Sequence, residues 1–369
     1  MGHHDAMMRI SRPALLLSGT IVAGLTLVEA RPRVNVGYHQ VAVVAPRSPS
    51  KAPAEPYLGM KPPGLMPALF APGVVSTGLS ERDVAMSPDG REFYFSVTFR
   101  TTTTIMVTRF ARGRWTPPTV ASFAADLAYY HMEPCVAGDG QRVFFLTNRP
   151  RAGEAPKPGW TNQSIWAADR KTDGSWGEPY DLGAPINGDG AAYFPSVTSD
   201  GTLYFTRSKA SGKDVAIYRA RRVGATYAEP ERLPDVVNGA GAIFNAFVAP
   251  DERFLIAGVE GRDDSTPPKK ANYYVFFRNA DGTWAPGVNL GPGINDPTNT
   301  VHSPYVSPDG RYFFFASNTF RDSGPTRPAP LTLQRLVDLS RSPQNGYSDI
   351  YWVRAEMIER LRRPAGPPR

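Results

Sequence analysis

Residues 303–317 read S-P-Y-V-S-P-D-G-R-Y-F-F-F-A-S and contain the motif that decides the fold. In Ser307-Pro308-Asp309-Gly310, proline suits the φ of about −65° at the second turn position, and glycine suits the left-handed geometry that follows. Apolar-rich segments lie on both sides of this turn. The stretch therefore predicts a β-hairpin.

The same hairpin occurs four more times along the chain. Its other turns are Ser87-Pro88-Asp89-Gly90, Gly138-Asp139-Gly140, Ser199-Asp200-Gly201 and Ala249-Pro250-Asp251-Glu252. The five aspartates are 50, 61, 51 and 58 residues apart, and five hairpins at this spacing predict a repeat architecture. The turn aspartates are expected to accept local backbone N–H bonds and not to form a catalytic set.

Each hairpin is followed by a third strand, and then by a turn that leads to an aromatic residue and a proline. Gly282-Thr283-Trp284 with Pro286 is one such segment. Because proline costs no ladder bond at a sheet edge, this segment is predicted to form the fourth, outer strand. Four strands per repeat predict an all-β fold, a β-propeller of five four-stranded blades over residues 66–354. Six blades remain an alternative if residues 34–65 hide a degenerate blade, which their proline content disfavours.

The fifth repeat lacks its outer strand, and the missing strand is found at the other end of the chain. Residues 69–76, L-F-A-P-G-V-V-S, parallel residues 290–295, L-G-P-G-I-N, which follow the outer strand of the fourth repeat. The N-terminal segment is therefore predicted to complete the last blade and to close the ring.

The two ends of the chain differ from the repeats. Arg9 and Arg12 precede an apolar run over residues 14–28, and Val28-Glu29-Ala30 provides small residues for cleavage, so residues 1–30 are predicted to be a signal peptide. An uncleaved membrane anchor is the alternative. Residues 31–65 are expected to form a proline-rich, disordered tether, and residues 355–369 a short helix with a proline-rich tail. The mature protein is expected to be periplasmic or secreted, with no membrane span.

Charge and composition restrict the classes of binding partner and cofactor that are expected. The chain carries a formal net charge of +7, and export makes nucleic acid an improbable partner for that charge. A protein or an anionic glycan fits better, and a monomer is expected. One cysteine, Cys135, excludes an intramolecular disulfide, and no cofactor is expected because no phosphate loop or other cofactor motif occurs.

The S-P-D-G-x-x-x-Y-F-x-S hairpin, followed by D-I-Y and by G-x-W-x-x-P-x-x-L-G, resembles the WD-like propeller repeat of TolB and of bacterial envelope proteins. The resemblance covers roughly residues 66–354 and implies a cell-envelope β-propeller. It implies little about activity, because this repeat occurs in binding scaffolds and in enzymes alike.

Residues just before each inner strand are expected to line the mouth of the central channel. The candidate binding residues there are Glu81, Asp83, His131, Glu133, Tyr193, Asn245 and His302. His131, Glu133 and His302 could bind a metal or act as acid and base, although hydrogen bonding to neighbouring blades is the commoner fate of such residues. A propeller glycosidase usually has a third carboxylate, and Phe194, Asn245 and Ser303 hold the remaining equivalent positions. We therefore assign no catalytic residue and no metal site.

Long loops provide a second candidate surface. The loops between the second and third strands grow longest at residues 148–163, 258–271 and 318–347, on the face that also carries the channel mouth. Insertions on one face of a repeat fold usually mark its binding face, and neutral loop growth is the alternative. Residues 331–339 are predicted to form a short amphipathic helix there. A candidate basic rim on this face contains Arg149, Lys209, Arg321 and Arg327. The sequence thus predicts an exported, non-catalytic binding scaffold. The alternative is a carbohydrate-active enzyme, a glycoside hydrolase or lyase, at the channel mouth.

Overall fold

The computed structural model describes residues 55–156, 163–188, 190–209, 214–239, 241–296, 301–318 and 332–362. The predicted signal peptide (1–30), residues 31–54 of the predicted tether, Arg321 and Arg327, and the last seven residues lie outside these ranges. The described chain begins with a 3-10 turn at Tyr57–Gly59 and with strand β1 (Ala68–Leu69).

Four consecutive blades follow, each a sheet of antiparallel strands whose first member is innermost. Blade one comprises β2 (Ser80–Met86), β3 (Glu92–Phe99), β4 (Thr102–Ala111), β5 (Arg114–Trp115) and β6 (Thr119–Val120). Blade two comprises β7 (His131–Val136), β8 (Arg142–Thr147), β9 (Ser164–Asp169) and β10 (Tyr180–Asp181). A 3-10 turn at Ser122–Ala124 connects the two.

The remaining elements complete the ring. Blade three comprises β11 (Ala191–Val197), β12 (Leu203–Ser208), β13 (Ala216–Ala220), the two-stranded extension β14 (Arg222–Val223) and β15 (Thr226–Tyr227), and β16 (Glu231–Arg232), and it is followed by α1 (Asp235–Asn238). Blade four comprises β17 (Ala242–Val248), β18 (Phe254–Glu260), β19 (Asn272–Phe277) and β20 (Val288–Asn289). Blade five comprises β21 (Tyr305–Val306), β22 (Tyr312–Ser317) and β23 (Asp349–Arg354), with α2 (Leu333–Ser340) in its long loop and α3 (Glu356–Arg362) after it. The protein is a five-bladed β-propeller, as the repeat predicts.

The N-terminal strand closes the ring as the sequence predicts. Ala68 and Leu69 of β1 pair antiparallel with Trp352 and Tyr351 of β23, so β1 is the outer strand of blade five. The Ser76 hydroxyl bonds to both the N–H and the C=O of Ile350, at 3.2 Å each. In blades two to four, Asn187, Asn238 and Asn295 hold the third strand through the same two backbone groups, so Ser76 replaces the asparagine of the other repeats.

Packed structure extends further towards the N-terminus than residue 66, where the propeller was predicted to begin. Tyr57 is buried against blade five, with its ring 4.8 Å from that of Tyr312, and its hydroxyl donates a 2.6 Å hydrogen bond to Asp309. Tyr57 is therefore packed on the last blade although it lies within the range predicted to be a tether, 31–65, because its aromatic side chain contacts Tyr312 and Asp309 there.

The hydrophobic core of the described chain lies between the blades, with one cluster at each interface between neighbours. The aromatic residues that were predicted to lie in the outer strands are part of this core. Trp176 of blade two is buried, and its indole N–H donates to the Tyr94 hydroxyl of blade one at 2.8 Å. Trp176 and Trp284 form bridges with the end of the third strand, and the outer strands begin after the following proline. The prediction that these aromatics lie in the outer strand is therefore wrong, because their rings pack inward beneath Arg170 and Arg278.

The turn aspartates have the structural role that the sequence predicts. In all five repeats a side-chain oxygen of the aspartate accepts a hydrogen bond from the backbone N–H two residues later, at 2.9–3.2 Å. These carboxylates stabilise the turns at one end of the inner strands.

Candidate functional site

Each repeat has one residue with left-handed backbone geometry at the same place, within the inner strand in blades one to four and two residues before it in blade five. The five residues have φ between 52° and 63°, and they are Asp83, Glu133, Phe194, Asn245 and Ser303. In the first four blades the pairing of the first two strands shifts register beside this residue, which marks a β-bulge. Bulges re-aim side chains and gather near functional sites, so this bulge ring is the place to look for chemistry.

Arg82 connects two carboxylates of the bulge ring. Its Nε donates to Asp83 Oδ1 at 2.9 Å, and its Nη2 donates to Glu133 Oε1 at 3.2 Å. The Ser303 hydroxyl also donates to Asp83 Oδ1, while Asp83 Oδ2 accepts the Glu133 N–H at 3.2 Å. Glu133 Oε2 accepts the Phe194 N–H at 2.7 Å. The network thus joins blades one, two, three and five through one guanidinium and two carboxylates.

The electrostatics of the network follow from its burial. Asp83 and Glu133 are 3 % and 5 % exposed, and burial together with the neighbouring Asp83 charge raises the pKa of Glu133 to about 8 although Arg82 opposes the shift. Burial, helped by the Arg82 charge, lowers the pKa of His302 to about 4. At neutral pH, Glu133 therefore holds a proton much of the time and His302 is neutral.

Other predicted channel residues are used by the fold. His131 is buried, its Nε2 lies 2.9 Å from the carbonyl oxygen of Asp126, and burial lowers its pKa. The backbone N–H of Asn245 donates to the Thr206 hydroxyl at 2.9 Å. Only Tyr193 and His302 are half-buried among the seven candidates. They are therefore the candidates most accessible to a ligand.

Glu81 lies where the ring closes. Its Oε2 accepts the Thr77 N–H at 3.1 Å, and its backbone N–H donates to the carbonyl oxygen of Ser348 at 2.7 Å, just before the last blade's third strand. Burial raises the pKa of Glu81 to about 7 and that of Asp349 to about 6. Its local role is to join the N-terminal segment to blades one and five.

The described members of the basic rim are engaged with their own chain. The Arg149 guanidinium lies 5.1 Å from the ring centre of Trp166, and Lys209 Nζ lies 2.6 Å from Asp214 Oδ2. Arg321 and Arg327 lie outside the described residues. An anionic ligand would have to compete with Asp214 for Lys209.

A cavity of about 240 Å³ extends from the bulge ring to the hairpin turns. Its inner end is formed by buried Asp83, Glu133 and Phe194, and its outer end by exposed turn residues, namely Pro88, Gly138, Ser199, Pro250 and Pro308. It therefore opens on the turn face, opposite the long loops. The cavity was not predictable from a local motif, because its lining comes from the inner strands of all five blades.

A helix with exposed apolar side chains lies on the long-loop face. The predicted amphipathic helix is present as α2, and Thr332 caps it by accepting the Arg335 N–H at 3.2 Å. No residue of α2 is buried, and Leu333 and Leu336 are 78 % and 48 % exposed. Tyr347, later in the same loop, is 61 % exposed. These three side chains form what we call the α2 surface.

Sequence reasoning missed Arg82, which organises the network. Its position directly before Asp83 was a signal, since a buried carboxylate needs a cation nearby. Within the described ranges, no three of histidine, cysteine, aspartate or glutamate are grouped so that they could hold a metal ion. No described helix is long and apolar enough to cross a membrane.

No family model and no curated protein sequence matches this chain. Solved structures similar to it include TolB from Acinetobacter baumannii, at 17 % identity and a TM-score of 0.40, with 74 % of this chain and 57 % of TolB covered. A gluconolactonase from Xanthomonas campestris has 14 % identity and a TM-score of 0.43, with 73 % and 84 % covered. An alpha-L-arabinofuranosidase from Lactobacillus brevis has 13 % identity and a TM-score of 0.43, with 74 % and 90 % covered. At these identities the likeness extends to the fold alone.

Proposed function

We propose that this protein is an exported, monomeric, non-catalytic scaffold of the WD-like repeat type, whose long-loop face holds a protein or an anionic glycan. The closed network around Arg82 carries the proposal. Both oxygens of Asp83 and both of Glu133 accept hydrogen bonds from the protein itself. Catalysis at the channel mouth on the long-loop face would require these carboxylates to leave their partners in the network.

The α2 surface favours a protein partner over a glycan. Leu333, Leu336 and Tyr347 place three large apolar side chains on the face where the loops are longest. Apolar and aromatic side chains of this kind act as anchors in protein interfaces, whereas a glycan is bound mainly through hydrogen bonds and charge.

The double variant Leu333→Asp with Leu336→Asp tests this proposal. The parent and the variant are compared on arrays of envelope proteins and of acidic and neutral glycans, and each hit is then titrated in solution. We expect a protein ligand whose affinity falls at least tenfold in the double variant, because two apolar anchors become charged. Leu127→Asp is the matched control, since Leu127 is 59 % exposed outside the long loops.

A different outcome would replace the protein partner with an anionic glycan on the basic rim. In that outcome a glycan is the only hit, and its affinity is unchanged in the double variant but is lowered by Arg149→Ser and by salt. Equal loss of a protein ligand in Leu127→Asp and in the double variant would contradict the assignment of the α2 surface.

The raised pKa of Glu133 favours one second candidate, a carbohydrate-active enzyme. A carboxyl group with a pKa of about 8 is protonated at neutral pH, as a general acid must be, and half-buried Tyr193 and His302 belong to the same end of the inner strands. Release of product from a glycan, lost in Glu133→Gln, would establish this alternative.

A further inference from the structure

The cavity on the turn face has a composition that restricts its ligand. Its wall is apolar and aromatic: Met86, Pro134, Pro195, Phe194, Phe247 and Tyr305 contribute to it. Phe247 and Tyr305 meet edge to face, with ring centres 5.6 Å apart. No lysine, arginine or histidine is among the described residues that line it. The wall therefore suits the uncharged, hydrophobic part of a ligand.

The inner end of the cavity adds a charge. Asp83 and Glu133 line it, and the single guanidinium that faces them, Arg82, does not. One cation thus faces two carboxyl groups, so a negative charge is left unpaired at the closed end of an apolar channel whenever Glu133 is ionised. Each carboxylate oxygen has two lone-pair directions, and both oxygens of Glu133 accept one hydrogen bond, so each can accept another.

We infer that the channel is a binding site for a small organic cation with an apolar body, which enters from the turn face and places its charge towards Asp83 and Glu133. Charge complementarity selects the cation, since the ligand supplies the positive charge that the two carboxylates lack. Phe194, Phe247 and Tyr305 line the same cavity, and aromatic rings attract a cation placed over their faces. This site is independent of the α2 surface and lies at the opposite end of the channel.

Binding is coupled to the protonation of Glu133. The pKa of about 8 means that Glu133 must lose a proton before it offers its full charge, so affinity for a permanent cation should rise as pH increases from 6 to 8. The charged or titratable groups around the network are Arg82, Asp83, Tyr193, Tyr273 and His302. The pKa of His302 is near 4, and burial raises the pKa values of both tyrosines, so these three do not titrate in this range.

Cys135 provides a direct reporter. It is the only cysteine of the chain, it lines the cavity, and burial raises the pKa of its thiol to about 12. The rate of its modification by a methanethiosulfonate reagent is followed by intact-mass spectrometry, with and without benzyltrimethylammonium. The neutral isostere neopentylbenzene, at the same concentration, is the matched probe. Taking the ratio of the two rates at each pH removes the thiol's own pH dependence.

We expect benzyltrimethylammonium to slow the modification, with an apparent Kd about tenfold higher for each pH unit below 8. Neopentylbenzene should protect much less. Glu133→Gln should lose the pH dependence and most of the protection, whereas Asp349→Asn, which removes a buried carboxylate at the ring closure, should keep both. Equal protection by the two probes, unchanged protection in Glu133→Gln, or no protection at all would overturn the inference. If Glu133→Gln does not fold, the pH series and the probe comparison on the parent protein decide alone.

Discussion

Replacing Phe70 by alanine should open a cavity where the ring closes. Phe70 is fully buried, and its ring centre lies 4.8 Å from that of Phe93 in blade one and 5.1 Å from those of Phe314 and Trp352 in blade five. Truncation of a buried phenylalanine costs about 3–5 kcal/mol, and the three lost aromatic contacts place Phe70→Ala near the middle of that range, at about 4 kcal/mol. Urea denaturation followed by tryptophan fluorescence measures the change.

The matched control for Phe70→Ala is Phe99→Ala. Phe99 is 55 % exposed at the end of β3, so its truncation should change the free energy of unfolding by less than about 0.5 kcal/mol. We also expect Phe70→Ala to aggregate more readily, because a weakened closure exposes the edges of blades one and five. A loss below about 1 kcal/mol in Phe70→Ala, with the protein still monomeric, would refute the assignment of residues 68–76 as the closing segment.

Three further changes test the electrostatics and the repeat. Burial raises the pKa of Glu81 to about 7 in the folded protein, so Glu81 should cost about 3 kcal/mol of stability as pH rises from 4.5 to 7, because the unfolded chain ionises first. Glu133 and Asp349, whose pKa values are also raised, add losses of their own over this range, so in urea melts the loss in Glu81→Gln should be about 3 kcal/mol smaller than in the parent and in Glu229→Gln; an equal loss in all three would contradict the role of Glu81. At pH 9, where Glu133 is ionised in the parent, Arg82→Met should lower the free energy of unfolding by about 3–5 kcal/mol by leaving two buried carboxylates without their cation, and adding Glu133→Gln should restore part of it; no recovery would contradict the network. Asn187→Ala removes the partners of the Ile165 N–H and C=O and should cost about 1–3 kcal/mol, whereas Asn279→Ala, at an exposed turn, should cost under about 1 kcal/mol; equal losses would contradict this role.

The repeat architecture was predictable because its signals are local. Each turn aspartate bonds to a backbone N–H only two residues away, so its role can be inferred from a short stretch of sequence. The closure was predictable for a related reason. Residues 69–76 repeat a pattern that occurs at every other blade boundary, and Ser76 replaces the asparagine with another small hydrogen-bonding side chain.

The bulge ring was only half predictable. The five positions were found because they lie six residues before each turn aspartate, but only Asp83 and Asn245 are residue types enriched at positive φ. Phe194 and Glu133 share that geometry although neither residue type favours it. Prolines directly after Glu133, Phe194 and Ser303 are a signal in hindsight, because proline cannot donate a ladder hydrogen bond there.

The site itself was less predictable, since it depends on contacts between blades. Arg82 and Glu133 are 51 residues apart, and Asp83 and Ser303 are 220 apart, so no local pattern pairs them. From the sequence alone, Asp83 and Glu133 are candidates for ligand binding at the channel mouth. The structure shows them held by Arg82, and it reveals the cavity on the turn face.

The most direct test of the central claim is whether the purified protein releases product from a glycan. That claim is that the long-loop face binds its ligand without catalysis. The protein is incubated with a panel of acidic and neutral glycans at pH values from 5 to 8, and products are separated by anion-exchange chromatography, with Glu133→Gln as the paired variant. We predict identical chromatograms for parent, variant and a protein-free control at every pH, because both carboxylates of the bulge ring are held within the Arg82 network. Product that the parent releases and Glu133→Gln does not would contradict this account and identify the channel mouth as an active site.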